Sequence, residues 1–281
     1  MTVTVFLLVL LASVLHAGWN FAAKKVSGNL SVLWLSLCLA SVLSWPWAAS
    51  VLRPQEFTRD AIAYMLATGG LHTCYFGLLA RAYAAGEISL VYPVARGTGV
   101  AGTALLAAVW LQESLSVAGV AGIVTICLGT VMLGMSQAGH DGACTAYGYA
   151  LLVGATITGY SIVDKLAVGT LHPVVYISVM FSLSALGLMP YILWRHWTDC
   201  RHAWRALKPY IGLIGLGSMS TYLIILFAFR LGPASYIVAA RELAVVIGAL
   251  FGLLFLQERF TPVKVAGMIA IGCGLILVKV A

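Results

Sequence analysis

Residues 91–136 read VYPVARGTGVAGTALLAAVWLQESLSVAGVAGIVTICLGTVMLGMS, and residues 236–281 read YIVAARELAVVIGALFGLLFLQERFTPVKVAGMIAIGCGLILVKVA. Laid over one another at an offset of 145 residues, they align without a gap. Ala95-Arg96 falls on Ala240-Arg241, and Leu111-Gln112-Glu113 falls on Leu256-Gln257-Glu258. Val120-Ala121-Gly122 falls on Val265-Ala266-Gly267, and Gly129 on Gly274. Apolar matches carry little weight in so apolar a chain. An arginine and a Leu-Gln-Glu triplet in one register carry much more, and they mark an internal duplication. The early part repeats at an offset of 141, with Gly18-Trp19-Asn20 over Gly159-Tyr160-Ser161 and Lys24 over Lys165. The two registers are collinear and divide the chain into a first unit, 1–138, and a second, 139–281.

The medium around these units follows from composition. Of 281 residues, 62% are hydrophobic and only 9% charged, and the mean hydropathy is +1.00. A soluble domain is charged at roughly a quarter of its positions, so the solvent for most of this surface is lipid. A spanning helix needs about 20 mostly apolar residues. Ten stretches qualify: 3–22, 30–52, 61–80, 88–110, 117–136, 144–163, 173–194, 209–229, 235–256 and 262–280. Their long continuous runs exclude the alternating segments of a membrane barrel. The fold class is an all-α polytopic membrane protein of about ten transmembrane helices. The first run has no basic residue ahead of it, so it is expected to be retained rather than cleaved as a signal. The 29 glycines, some at small-xxx-small spacing such as Ala118 with Gly122 and Gly248 with Gly252, are read as packing.

Five spans per unit is an odd number, so the second copy enters the membrane from the opposite side. The repeats are therefore inverted, an arrangement suited to alternating access around a midplane site. The net charge of +7 does not point to nucleic acid, because the basic residues sit at span ends, where they meet lipid headgroups. Outside the spans, nine Lys and Arg fall on one side and five on the side of the termini, which by the positive-inside rule puts the termini outside. The six cysteines show no metal spacing, and no cofactor is called for. The partners are membrane lipid, a small-molecule substrate and, as the coupling ion the pattern allows, protons. With two units in one chain, a monomer is a sufficient functional unit.

The stretch Gly86-Glu87-Ile88-Ser89-Leu90-Val91-Tyr92-Pro93-Val94-Ala95-Arg96-Gly97 resembles the drug/metabolite transporter superfamily, EamA branch, as does His16-Ala17-Gly18-Trp19-Asn20 running into Lys24. The Leu-Gln-Glu triplets sit where that family has an apolar-Gly-Glu-Arg turn. Glu258-Arg259 keeps the end of that turn, whereas the first copy has Glu113-Ser114. The resemblance spans nearly the whole chain. It implies ten helices in two inverted five-helix halves, with export or exchange of small metabolites. It also implies cytoplasmic termini, against the Lys and Arg count.

Charge inside a bilayer costs about 2.5–3.5 kcal/mol on insertion scales, so Arg96 and Arg241, at matching depths, each need a reason. One reading makes them guanidinium forks for an anionic substrate group; the other makes them structural ion-pair partners. Glu242 reads as the only acid well inside a span, either a proton-coupling carboxylate or the counter-ion of an arginine. Glu113 and Glu258 sit at matching helix ends and read as loop structure. Trp19, Asn20 and Lys24, repeated as Tyr160, Ser161 and Lys165, form either a substrate wall or an interfacial anchor with snorkelling lysines. His16 lies in span one, and His72 and Tyr75 share a face of span three; they read as substrate or proton contacts, or as packing. Tyr92 precedes Pro93, which can kink span four beside Arg96, and Tyr222 in span eight is a further candidate.

The leading function is a secondary transporter of small polar or amphipathic metabolites such as amino acids, in a bacterial inner membrane. A sugar-phosphate or nucleotide-sugar antiporter and a lipid-linked flippase are the alternatives within transport. A channel or a membrane-embedded enzyme stands outside that class. Gly215-Leu216-Gly217-Ser218 lacks the spacing of a nucleophile turn, and no ATP-binding loop is present.

Overall fold

The computed structural model describes residues 1–26, 29–85, 88–135, 143–256 and 261–281; the side chain of Lys24, and residues Gly86, Glu87, Gln257, Glu258 and Arg259, lie outside this description. The described residues form helices α1 (Val3–Lys25), α2 (Leu30–Val51), α3 (Arg59–Ala85), α4 (Ile88–Trp110), α5 (Val117–Met135), α6 (Ala143–Ala167), α7 (Pro173–Arg195), α8 (Trp197–Ala206), α9 (Lys208–Leu231), α10 (Ala234–Ala240), α11 (Leu243–Leu256) and α12 (Pro262–Val280). No strand occurs among them. Nine stretches of the described residues are long and apolar enough to cross a membrane. The 23-residue α4 adds another helix of that length. Lipid offers the backbone no hydrogen-bond partner, so each crossing satisfies itself as a helix.

Starts are set locally. Asn29 accepts from Ser31 N (2.9 Å) and Val32 N (3.3 Å) ahead of α2, and Thr261 accepts from Lys264 N (3.2 Å) ahead of α12. His172 Nδ1 accepts from Val174 N at the start of α7. Burial, aided by Arg230 and Arg53 and opposed by Glu56, lowers the His172 pKa and so keeps that nitrogen free to accept.

Two observations display the duplication. The α5–α12 crossing is so close that a Cβ on Gly122 would lie 2.8 Å from the Gly274 carbonyl oxygen, and one on Gly129 would lie 2.7 Å from that of Gly267. In the 145-residue register, Gly267 is the twin of Gly122 and Gly274 the twin of Gly129. Each glycine therefore meets the twin of the other, and the contact order shows the helices antiparallel. Elsewhere α2 crosses α7 where the hydroxyls of Ser41 and Ser182 meet at 2.7 Å. These serines are 141 residues apart, the offset of the early register, so one residue and its own twin touch across the pseudo-twofold axis.

The halves are interleaved and inverted. α3 packs on α6 and α7, while its counterpart α9 packs on α1 and α2. At one face the amino group of Met1 donates to Lys279 O (3.2 Å), His172 N donates to Glu56 (3.0 Å) and Glu113 meets Ala234 N (2.6 Å). Both ends and the α2–α3, α4–α5, α6–α7 and α9–α10 connections thus gather there. At the opposite face the α1–α2 turn meets the α7–α9 connection through Ala22, Val32, Ala203 and Ile211. α1 leaves the first face and its twin α6 arrives at it.

Two sequence expectations are corrected here. Residues 195–208 read as a charged gap, but Trp197–Ala206 form α8, burying Cys200 and Ala203 and exposing Trp197, Arg201, Trp204 and Arg205. That pattern suits a helix lying at the headgroup level. The stretch 235–256 read as one spanning helix; Ala234–Gly252 is one candidate span, but the helix within it is interrupted. α10 ends at Ala240 and α11 begins at Leu243, with Glu242, Ala244 and Val245 each bonded three residues back, to Ala239 O, Arg241 O and Glu242 O.

Candidate functional site

The split in the α10–α11 span falls at Arg241-Glu242, and the site is built around it. The Arg96 guanidinium on α4 lies 2.5 Å from a Glu242 carboxylate oxygen, with the two side chains 6% and 0% exposed. This is an ion pair by distance, although neither Glu242 oxygen has a directed hydrogen bond. It joins the first half to the second. Arg241, 4% exposed, carries a buried Nη1 with no hydrogen-bond partner; its guanidinium lies 5.8 Å from the centre of the Tyr222 ring.

An aromatic wall extends from Tyr222. His72 stacks on Tyr160 at 4.3 Å and meets Tyr222 edge-on at 5.6 Å. Tyr160 also meets Tyr75 at 5.9 Å and Tyr222 at 6.1 Å. α3, α6 and α9 thus converge on one cluster, although only the His72–Tyr75 pairing was visible from helical spacing. Tyr92 lies within the field of Arg96, and α4 continues unbroken through Pro93.

His16 lies within the field of both arginines and touches Trp19 edge-on at 4.9 Å. Asn20 turns inward to its own helix, donating to His16 O at 2.7 Å. Ser161 is fully buried with an unpartnered hydroxyl, and Thr221 Oγ1 and Trp19 Nε1 are likewise buried and unpartnered. Buried polar atoms rarely stay unpaired, which makes these three atoms candidates for polar contacts.

Other candidates stand away from this cluster. Lys165 donates to Gly232 O (2.8 Å) and to Phe229 O, holding the last carbonyls of α9. Glu113 accepts from Ala234 N (2.6 Å), Ser235 N (3.1 Å) and the Ser235 hydroxyl (2.6 Å), capping the short α10. Between them an open hollow of about 790 Å³ at the face of the termini is lined by Gln112, Glu113, Lys165, Phe229 and Arg230. Ser218 donates to Gly215 O inside α9 (3.1 Å) and forms no exposed turn.

Glu242 is not the only acid inside a span. α6 runs on to Ala167 and encloses Asp164, which is 0% exposed. Asp164 accepts from the hydroxyls of Thr68 (2.8 Å), Tyr176 (2.5 Å) and Tyr222. The sequence held a signal for it: Asp164 lies four residues after Tyr160, on the same helix face, and His72 four after Thr68.

Comparison with known proteins agrees with this architecture. Residues 145–280 match the EamA-like transporter family, and residues 32–126 match the Small Multidrug Resistance protein family. No curated protein matches the chain. A crystal structure of another protein superposes with a TM-score of 0.74 over 100% of this chain and 98% of its own, at 15% identity, which shows a shared fold and no more. The second half, residues 145–280, is thus that of an EamA-like transporter of the drug/metabolite transporter superfamily, and with a second transporter family matching the first half, the two matches indicate that this multi-pass membrane chain is a membrane transporter of small molecules.

Proposed function

We propose that the chain is a secondary transporter, in a bacterial cytoplasmic membrane, that exports or exchanges small polar or amphipathic metabolites bearing a carboxylate, amino acids among them, by alternating access. The observation that carries this reading is Arg241. Its twin Arg96 has Glu242 as a counter-ion at 2.5 Å, although Arg96 Nε and Nη2 also lack a directed hydrogen bond, whereas Arg241 sets an unpartnered buried Nη1 beside an aromatic wall. A carboxylate would complete its hydrogen bonds in the paired geometry that guanidinium favours. Tyr75, Tyr160, Tyr222 and His72 would cover the apolar part of the substrate, with Ser161, Thr221 and Trp19 supplying polar contacts. A guanidinium with one unpartnered nitrogen suits a single carboxylate better than a phosphate dianion.

The broken α10–α11 span supports the same reading, because interrupted helices at the repeat interface are where such carriers place their sites. Inverted halves, interleaved about an axis through Ser41 and Ser182, can rock against each other to open either face. The test is counterflow in proteoliposomes preloaded with unlabelled amino acids. Saturable entry of labelled amino acid is expected for wild type. It is expected to be lost in Arg241→Gln and kept at lower affinity in Arg241→Lys. Counterflow unchanged by Arg241→Gln would remove the guanidinium from the site, and no counterflow with any amino acid would overturn the cargo.

A further inference from the structure

The transport site described above does not use the carboxylate of Asp164. It lies wholly inside the protein in the last turn of α6, yet among the described residues no basic side chain is bonded to it. Its partners are three neutral hydroxyls on three other helices: Thr68 on α3, Tyr176 on α7 and Tyr222 on α9. Tyr176 donates at 2.5 Å and Thr68 at 2.8 Å, so the cage is too tight for a metal ion between the oxygens but suits a proton. A carboxylate surrounded by donors is a strong acceptor when ionised; protonated, it loses much of that capacity and loosens its hold on all three helices. Those helices come from both halves, α3 from the first and α7 and α9 from the second.

The groups around it form a path. With the Thr68 hydroxyl proton committed to Asp164, the 3.0 Å contacts of His72 Nδ1 with Thr68 Oγ1 and Thr68 O place the imidazole proton on Nδ1. A line of hydrogen bonds thus runs from His72 through Thr68 to Asp164 and on to Tyr222, whose ring faces Arg241. The elements packed around α6 carry other charged or titratable groups as well. Tyr160 and Lys165 lie on α6 itself, the latter bonded to α9 carbonyls. Tyr75 lies on α3, and α4 brings Tyr92 and Arg96, the latter paired with Glu242.

We propose that Asp164 is the proton-binding site of this transporter, and that a proton on Asp164 and a substrate carboxylate on Arg241 bind together and cross in the same direction, outward where the substrate excess inside the cell outweighs the inward proton gradient. The coupling follows from charge and from Tyr222. Protonating Asp164 removes a negative charge from the neighbourhood of Arg241 and frees the Tyr222 hydroxyl to reach substrate. No bond beyond O–H is made or broken; the proton is taken up from one aqueous face and released to the other. The inference rests on the transport reading above, and its test separates the two.

Proteoliposomes are given a pH gradient, inside alkaline, and followed for labelled amino acid uptake beside counterflow at equal pH. Wild type is expected to accumulate substrate under the gradient. Asp164→Asn, which keeps the shape and one carbonyl acceptor, is expected to retain counterflow and lose gradient-driven accumulation. Loss of wild-type counterflow strikes the transport reading itself. Normal counterflow with no response to pH, accumulation driven by an inside-acid or sodium gradient, or an Asp164→Asn protein that still accumulates would each overturn the proton site alone, as would a monodisperse, folded Asp164→Asn that loses counterflow. Tyr176→Phe gives a second reading should Asp164→Asn fail to fold. Removing one donor to the ionised carboxylate should move the half-maximal pH of driven uptake upward by about one unit, and an unmoved profile would overturn the proposal.

Discussion

Arg96 and Arg241 are the same residue of a duplicated unit, and the fold treats them oppositely. Around Arg96 the helix runs intact although Pro93 precedes it by one turn. Around Arg241 the helix breaks although no proline or glycine adjoins it. The residue after each arginine differs: Gly97 in the first copy, Glu242 in the second. Glu242 neutralises not its neighbour but its neighbour's twin, 2.5 Å away on α4. The ion pair thus ties the halves together at Arg96 and not at Arg241. Symmetry built the scaffold and its local loss built the site.

The largest expected effect tests that division of roles. Arg96→Gln should leave Glu242 as a buried unpaired charge and destabilise the protein by about 3–5 kcal/mol, read as a lower thermal midpoint in detergent. Arg241→Gln should change that midpoint little, because it breaks no ion pair, while abolishing counterflow. The double variant Arg96→Gln with Glu242→Gln should recover most of the loss. Equal destabilisation by the two arginine variants would dissolve the contrast between the twins.

A second test addresses the region where symmetry is kept. Gly122 and Gly267 are twins, and each would drive a Cβ to 2.8 Å from a carbonyl oxygen of the facing helix. Gly122→Ala and Gly267→Ala should each cost about 1–3 kcal/mol by overpacking, and by matching amounts. Gly248→Ala, where an added Cβ meets nothing within 4 Å, serves as the control. Unequal losses for the twins would show that the α5–α12 crossing is less symmetric than its contacts.

A third test concerns the broken half-helix. α10 has seven residues and two breaks to bridge, and its free N–H groups are met by Glu113. Glu113→Ala should cost about 1–2 kcal/mol and should weaken counterflow as well, because α10 carries Arg241 at its end. A stability loss with transport rates intact would separate the cap from the site.

Much of this scaffold was legible because it repeats. The 141-residue register, noticed through Gly18-Trp19-Asn20 and Lys24, holds at Ser41 and Ser182, which touch. The site was harder to read, for reasons that are spatial. Asp164 lay one residue beyond the apolar run that ended at 163, and hydropathy cannot see three hydroxyls arriving from other helices. The break at Arg241 leaves no mark in the sequence because no proline or glycine adjoins it. Lys165 read as a site or anchor residue since the carbonyls it holds, those of Phe229 and Gly232, are distant in sequence. The α8 segment read as loop because its charges outweigh the two small residues it buries.

The smallest expected effect returns to the Leu-Gln-Glu triplet. Gln112 has φ 54°, the single positive φ among the described non-glycine residues, in the left-handed region that glycine enters freely and other residues enter at a cost of about 1–2 kcal/mol. The turn must reverse there so that Glu113 can face α10 rather than continue along α4, and glycine is the residue suited to it. The Gln112 side chain returns little, one exposed bond from Nε2 to Val109 O at 2.8 Å. Gln112→Gly should therefore raise the thermal midpoint, by up to about 1 kcal/mol after the added freedom of the unfolded chain is subtracted, with counterflow unchanged. A loss of stability instead would mean that the Val109 bond, and not the backbone reversal, holds Glu113 in place.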